Sequence, residues 1–281
     1  GSLRPVYAPP PPKGFAARSL LRGGDAAMRL IAVFLFFALW SIISVANKGY
    51  EWFPAVLFPP PWEILQEGFN MLLTGELFRH IRDSLIRVAQ GFGIGAFLGI
   101  STGLVIGRWR LAEQFLETIL EMLRPIPPLA FLPLMVLWLG IGETSKITFI
   151  AYTEFFPVFT TTAEGIKYVD PLLIRAAASL GASERDLFRY VILPAALPNI
   201  IVGLRLGFAL AFFVIVAAEF IAADTGLGYL INDARTFFLV PRMLLGALVI
   251  GALGWFFNWL LKVLERKLIP YRKQTRGTGS A

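Results

Sequence analysis

The sequence predicts an all-α, polytopic membrane protein with about six transmembrane helices, and three observations carry that prediction. Of its 281 residues, 56% are hydrophobic and only 16% charged, against about 25% charged in soluble domains. Mean hydropathy is +0.66. Apolar stretches long enough to cross a bilayer lie near 26–46, 85–107, 115–140, 145–165, 200–223 and 243–262, each near the roughly 20 residues a spanning helix needs. A net charge of +7 calls for no nucleic acid, because asymmetric membrane flanks produce such an excess. Cysteine is absent, which removes thiol catalysis, disulfides and thiolate metal sites. The single histidine, His80, leaves no histidine cluster for a metal and no histidine-based triad.

Residues 1–25 form a Pro-rich, basic tail in which Pro9 to Pro12 favour an extended polyproline segment. Gly1-Ser2, with no initiating Met, is read as a trimmed or appended start. The run 26–46 is long enough to span, and no clear small-residue cleavage site follows it, so it is expected to be the first span. The second span carries Gly91, Gly95, Gly99, Gly103 and Gly107, each four residues apart. Each costs a helix about 1 kcal/mol relative to Ala, but a row at this spacing makes a groove for close helix packing. Its partner could belong to the same chain or to a second copy.

The third span contains Pro125, Pro127, Pro128 and Pro133, and each proline removes a backbone donor. A broken helix is expected, tolerated in a membrane only where protein or a cavity satisfies the freed groups. Discontinuous helices often line substrate paths, which makes Pro125, Pro127, Pro128 and Trp138 candidate pathway residues. Glu154 in the fourth span and Glu219 near the outer end of the fifth join them, as ionisable groups within spans are functional candidates. His80, flanked by Arg79 and Arg82, reads as part of a solvated loop face.

Lys and Arg set the orientation. With both tails cytoplasmic, 17 of the 26 cations lie inside and 7 outside, with Arg124 and Arg205 within spans. The positive-inside rule therefore places both termini in the cytoplasm. The cytoplasmic loop 170–198 is too polar to span. Asp170-Pro171 reads as an N-cap with Pro in the first helical position. The short helix Leu172 to Leu180 should stop at Gly181, a left-handed cap. Ser183 with Asp186 resembles a capping box, and the second helix, carrying Leu187 and Phe188, is expected to end at Pro194 and Pro198. Ala176, Ala177 and Ala178 give the first helix a small-residue face suited to docking.

Arg175-Ala176-Ala177, Gly181-Ala182-Ser183, Phe188 and Pro194 together resemble the EAA loop that marks membrane subunits of ATP-binding-cassette importers. The family pattern begins with Glu, and here Arg175 stands in its place, so an ionic contact made by that Glu does not carry over. Arg124 to Lys146, with Arg-Pro-Ile-Pro-Pro-Leu-Ala and Gly-Ile-Gly-Glu-Thr-Ser-Lys, is similar to the nitrate/sulfonate/taurine/bicarbonate branch, the taurine type most of all. The resemblance covers about residues 58 to 270.

It implies a type I ABC importer permease fold with cytoplasmic coupling helices, in the bacterial inner membrane. The permease domain would be 26–265, followed by a basic tail 266–281. It further implies a homodimer with a second permease copy, two ATPase subunits and an extracytoplasmic substrate-binding protein. The sequence holds no Gly-x-x-x-x-Gly-Lys-Ser/Thr run. Mg-ATP would therefore be bound by the partner ATPase, and this chain would be a transport subunit and not an enzyme. The implied cargo is taurine or another alkanesulfonate, with nitrate, bicarbonate or another small organic anion as the alternative. For such cargo a bare carboxylate in the path is repulsive, which favours hydrogen-bonded structural roles for Glu154 and Glu219. Two different classes remain: an ion-coupled secondary transporter using Glu154, and, disfavoured by the lack of any nucleophile–base constellation, a membrane enzyme or scaffold.

Overall fold

The computed structural model describes residues 17–268. Pro9 to Pro12 and the basic tail beyond residue 268 lie outside the described residues. The described residues fall into two compact units that divide after Leu65.

The first unit is built on α1 (Ala17–Tyr50), whose backbone turns helical well before the expected start near residue 26. Ala17, Arg18, Leu20, Leu21 and Arg22 are all strong helix formers. Leu30–Tyr50 is apolar enough to span, and Phe34 and Leu30 are each 72% exposed, as side chains facing lipid must be. The polar groups of α1 close the chain that follows it. Ser44 Oγ donates to the Phe58 carbonyl at 2.7 Å and Trp40 Nε1 to that of Pro59 at 3.1 Å. The Asn47 amide both donates to and accepts from the Phe53 backbone at 3.1 Å. Helix α2 (Pro61–Leu73) begins in this unit and ends in the next.

The second unit contains α3 (Glu76–Arg108), α4 (Arg110–Leu123), α5 (Pro128–Leu139), α6 (Glu143–Lys167), α7 (Pro171–Ser179), α8 (Glu184–Ala222), α9 (Leu227–Thr236) and α10 (Val240–Leu268). Helix α6 lies between α3 and α8. On one side the glycine row of α3 meets it directly. A methyl group added at Gly91, Gly95, Gly99, Gly103 or Gly107 would stand 2.5–2.8 Å from Ile150, Ala151, Val158, Thr162 or Ile166 respectively. The partner of the row is therefore in the same chain. On the other side Gly203 and Gly207 of α8 approach Thr161 and Glu154 just as closely. Phe149, Ile150, Ala211, Phe212 and Ile215, with Val88 of α3, form the main apolar cluster between these helices.

Leu30–Tyr50, α3, α8 and α10 are each long and apolar enough to cross a membrane, and α4 with α5 adds a fifth crossing if the bent pair is one span. Those two helices meet at 95° across Arg124 to Pro127, which is the break expected from the prolines. Helix α6, expected as the fourth span, has the length at 25 residues but is too polar for the same class, carrying Glu154, Glu164 and several threonines. Protein encloses it: Glu154 and Thr162 are fully buried. One expectation fails here. The helix after Ser183 does not end at Pro194 and Pro198 but runs on to Ala222. A π-helical stretch, Leu187–Ile192, precedes Pro194, and its wider hydrogen-bond spacing accommodates the donor that proline lacks.

Candidate functional site

Helix α7 stands at the end of the bundle where α3 finishes and α8 begins. Asp170 accepts a hydrogen bond from the Leu172 N–H at 2.8 Å, and Pro171 takes the first helical position, where no donor is needed. The chain then turns at Gly181, whose φ of +83° is the left-handed conformation glycine adopts without cost. The Leu180 and Ala182 N–H groups return to Ala177 O at 3.1 and 3.2 Å. Ser183 accepts from the Asp186 N–H at 3.3 Å, and Asp186 accepts from the Ser183 N–H and hydroxyl.

Both ends of α7 are thus closed by their own residues, leaving its outer face free. Leu172 is 64% and Leu180 89% exposed, while Arg175, Ala176 and Gly181 are exposed and Ala177 and Ala182 half-buried. Among the described residues Arg175 bonds only to the Pro171 carbonyl, so the inverted charge has no carboxylate to meet. Phe188 is half-buried in a groove of ≈ 590 Å³ shared with Leu104, Val105 and Trp109, and Pro194 is exposed on α8. Arg108 pairs with Glu184 at 2.8 Å across that groove. Lys167 pairs with Glu113 and Glu117 at 2.9 and 2.6 Å. Burial works against its charge, but the two carboxylates outweigh it and raise the pKa.

At the opposite end of the bundle lies a polar network that sequence reasoning missed. Arg87, 4% exposed, grips Glu143 with Nε and Nη2 at 2.7 and 2.8 Å and Glu219 with Nη1 at 2.8 Å. It also donates to the carbonyl and hydroxyl of Thr225 at 2.6 and 3.0 Å. Glu219 accepts further bonds from Ser84 Oγ and the Gly228 N–H, both at 2.7 Å. The side chain expected in the pathway is therefore saturated inside protein. His80 departs from expectation too: it is 2% exposed, accepts from the Gly226 N–H at 3.0 Å and stacks on Tyr229. It is a buried anchor for the turn before α9, not a solvated loop residue. Glu143, ahead of the span that begins near residue 145, has its pKa held down to about 2, first by hydrogen bonds from Arg87 and, against the opposing effect of burial, by Lys146.

Midway along the bundle the bend between α4 and α5 opens a cavity of ≈ 270 Å³, lined by Arg124, Pro127, Pro128, Thr153, Pro157 and Phe213 among others. Pro125 sits in the same bend and is exposed but does not line the cavity. The other expected pathway residues stand elsewhere. Trp138 is 69% exposed, one residue from the far end of α5. Glu154 is fully buried against the glycines of α3 and α8, and among the described residues neither carboxylate oxygen has a hydrogen-bond partner, contrary to the hydrogen-bonded role expected for it. The close glycine contacts leave a carboxyl-sized space there and bring no donor.

Residues 91–270 match the family described as the binding-protein-dependent transport system inner membrane component. The chain belongs to that permease family. The permease is 38% identical over 240 residues to a protein designated an aliphatic sulfonates transport permease in Bacillus subtilis (strain 168), covering 85% of this chain and 86% of that one. It is also 38% identical to the taurine transport system permease protein of Escherichia coli (strain K12), covering 79% and 82%. Its fold is similar to that of a methionine ABC transporter solved in inward-facing conformations, with a TM-score of 0.61 at 18% identity over 71% of this chain and 98% of the other. As a permease component the chain is a membrane-embedded transport subunit of an ABC importer, a family that works with a separate ATPase subunit and a substrate-binding protein.

Proposed function

We propose that this permease works as a homodimer in the bacterial inner membrane, with both termini cytoplasmic, and passes a sulfonate received from an extracytoplasmic binding protein. Taurine or another alkanesulfonate is the cargo that the relatives' names favour. The observation that carries the coupling role is the exposed, self-capped α7. Its small-residue face at Ala176 and Ala177, with Leu180 beside it, suits a cleft on the ATPase subunit that binds Mg-ATP. Gly181, Ala182 and Ser183 set the turn, Phe188 seats the following helix in its groove, and Pro194 marks where the π-helical stretch joins the long run of α8. Movement of α7 would thereby reach α8, which borders the midspan cavity. Arg175 would act there without the ionic contact that a Glu would make. No chemistry on the cargo is needed.

The test replaces Ala177 or Gly181 with Asp in the complete transporter. A carboxylate brought into a docking interface without a partner costs several kcal/mol. Ala177→Asp and Gly181→Asp should abolish co-purification with the ATPase subunit and sulfonate uptake into proteoliposomes, while the permease itself stays folded. Uptake and ATPase association at the parental level in both variants would remove α7 from the coupling role.

A further inference from the structure

The cavity at the bend holds one charged group among its lining residues, and that group has no partner among the described residues. Arg124 is exposed, and no described residue bonds or pairs with its guanidinium. Three other arginines within or beside the spans are engaged: Arg87 with Glu143 and Glu219, Arg205 with Glu265 at 3.0 Å, and Arg242 with Glu67 at 2.8 Å. Depth makes the difference matter. The cavity touches α6 between Thr153 and Pro157, 10 to 14 residues into a helix of 25, or about 15–21 Å at 1.5 Å per residue. It touches α8 between Leu210 and Val214, 8 to 12 residues before that helix ends, or about 12–18 Å. Two helices thus place it independently near the middle of a hydrocarbon layer about 30 Å thick. A guanidinium there is costly unless it faces a water-filled path or a counter-anion.

We infer that Arg124 is an anion-binding residue of the translocation path, contacting a small oxyanion at mid-membrane depth. The inference rests on the transport reading above and adds the residue that meets the cargo. The planar fork of arginine suits two oxygens of a sulfonate or carboxylate. Helix α5 begins at the same place, with Pro127 and Pro128 in the cavity wall, so the positive end of its dipole reinforces the attraction. At ≈ 270 Å³ the cavity falls just below the about 300–1,000 Å³ of sites for drug-sized ligands, which fits a small anion.

The experiment uses the complete transporter in proteoliposomes and measures uptake of ethanesulfonate and of bicarbonate. Arg124→Gln should lower uptake of whichever anion the parent carries by about tenfold or more, the scale of one charge-assisted hydrogen bond. Arg124→Lys should be intermediate, with a raised KM. Both variants should still co-purify as dimers with the ATPase. Parental uptake by Arg124→Gln would overturn the site while leaving the transport reading intact. If the parent carries neither anion, the cargo reading and the site fall together. If Arg124→Gln dismantles the complex, the lysine variant decides: reduced uptake in an assembled complex supports the site. Full parental uptake by that variant would overturn it in favour of a structural charge paired with a second copy.

Discussion

Glu219 and Glu154 are both fully buried in the same helix bundle, yet their surroundings are opposite. Glu219 sits among donors: an arginine, a serine hydroxyl and a backbone N–H converge on its two oxygens. Glu154 is enclosed by glycines and apolar groups, and both its oxygens lack a partner among the described residues. A carboxylate is stable out of water only where charge and hydrogen bonds compensate it. The first glutamate therefore fastens three helices together, whereas the second contributes shape. Identity of residue type says nothing about which role it has.

The largest effect should come from stranding the fastened glutamate. Arg87→Ala leaves the Glu219 carboxylate buried beside Ser84 and Gly228 alone and should cost about 3–5 kcal/mol, read as a fall in Tm of the detergent-solubilised permease. A Tm within error of the parent would show that the network is ornamental. Next comes the packing around the other glutamate. A methyl at Gly207 would lie 2.5 Å from Glu154 Cγ, so Gly207→Ala should cost about 1–3 kcal/mol. Much of that loss should return when Glu154→Ala is combined with it, because contacting residues are not additive; full additivity in the double-mutant cycle would place the strain elsewhere. The smallest change has the opposite sign. Glu154→Met keeps the volume and removes two unpartnered oxygens, and should hold or raise stability by about 1 kcal/mol. A clear loss of stability would mean that the carboxyl has a compensating partner in the membrane.

What the sequence made legible was local. The glycine row is written at four-residue spacing, which is helix geometry itself, and it lies against α6 at every one of its five positions. The turn at Gly181, the Ser183–Asp186 box and the bend at Pro125 to Pro128 are likewise set by neighbouring residues. The Arg87 network was invisible because its members stand 56 and 132 residues apart, and no periodicity records such a pairing. His80 looked solvated between two arginines, but a histidine's neighbours in sequence do not reveal which side of the helix the rest of the protein covers. Pro194 and Pro198 looked like stops because a proline's cost is local, while the π-helical stretch that absorbs one of them lies upstream. For the cavity, the prolines announced a break, but only the fold showed that Arg124 reaches it and that Glu154, Glu219 and Trp138 do not.

The glycine faces on both sides of α6 have a mechanical consequence. With backbone seated on backbone along α3, α6 and α8, these three helices have almost no room to slide past one another. They form a single rigid beam. Outside that beam, the 95° elbow between α4 and α5 is a place where helical hydrogen bonding is already interrupted. The dense packing of the beam and the interruption at the prolines thus divide the carrier into a part locked by backbone contact and a part that is not.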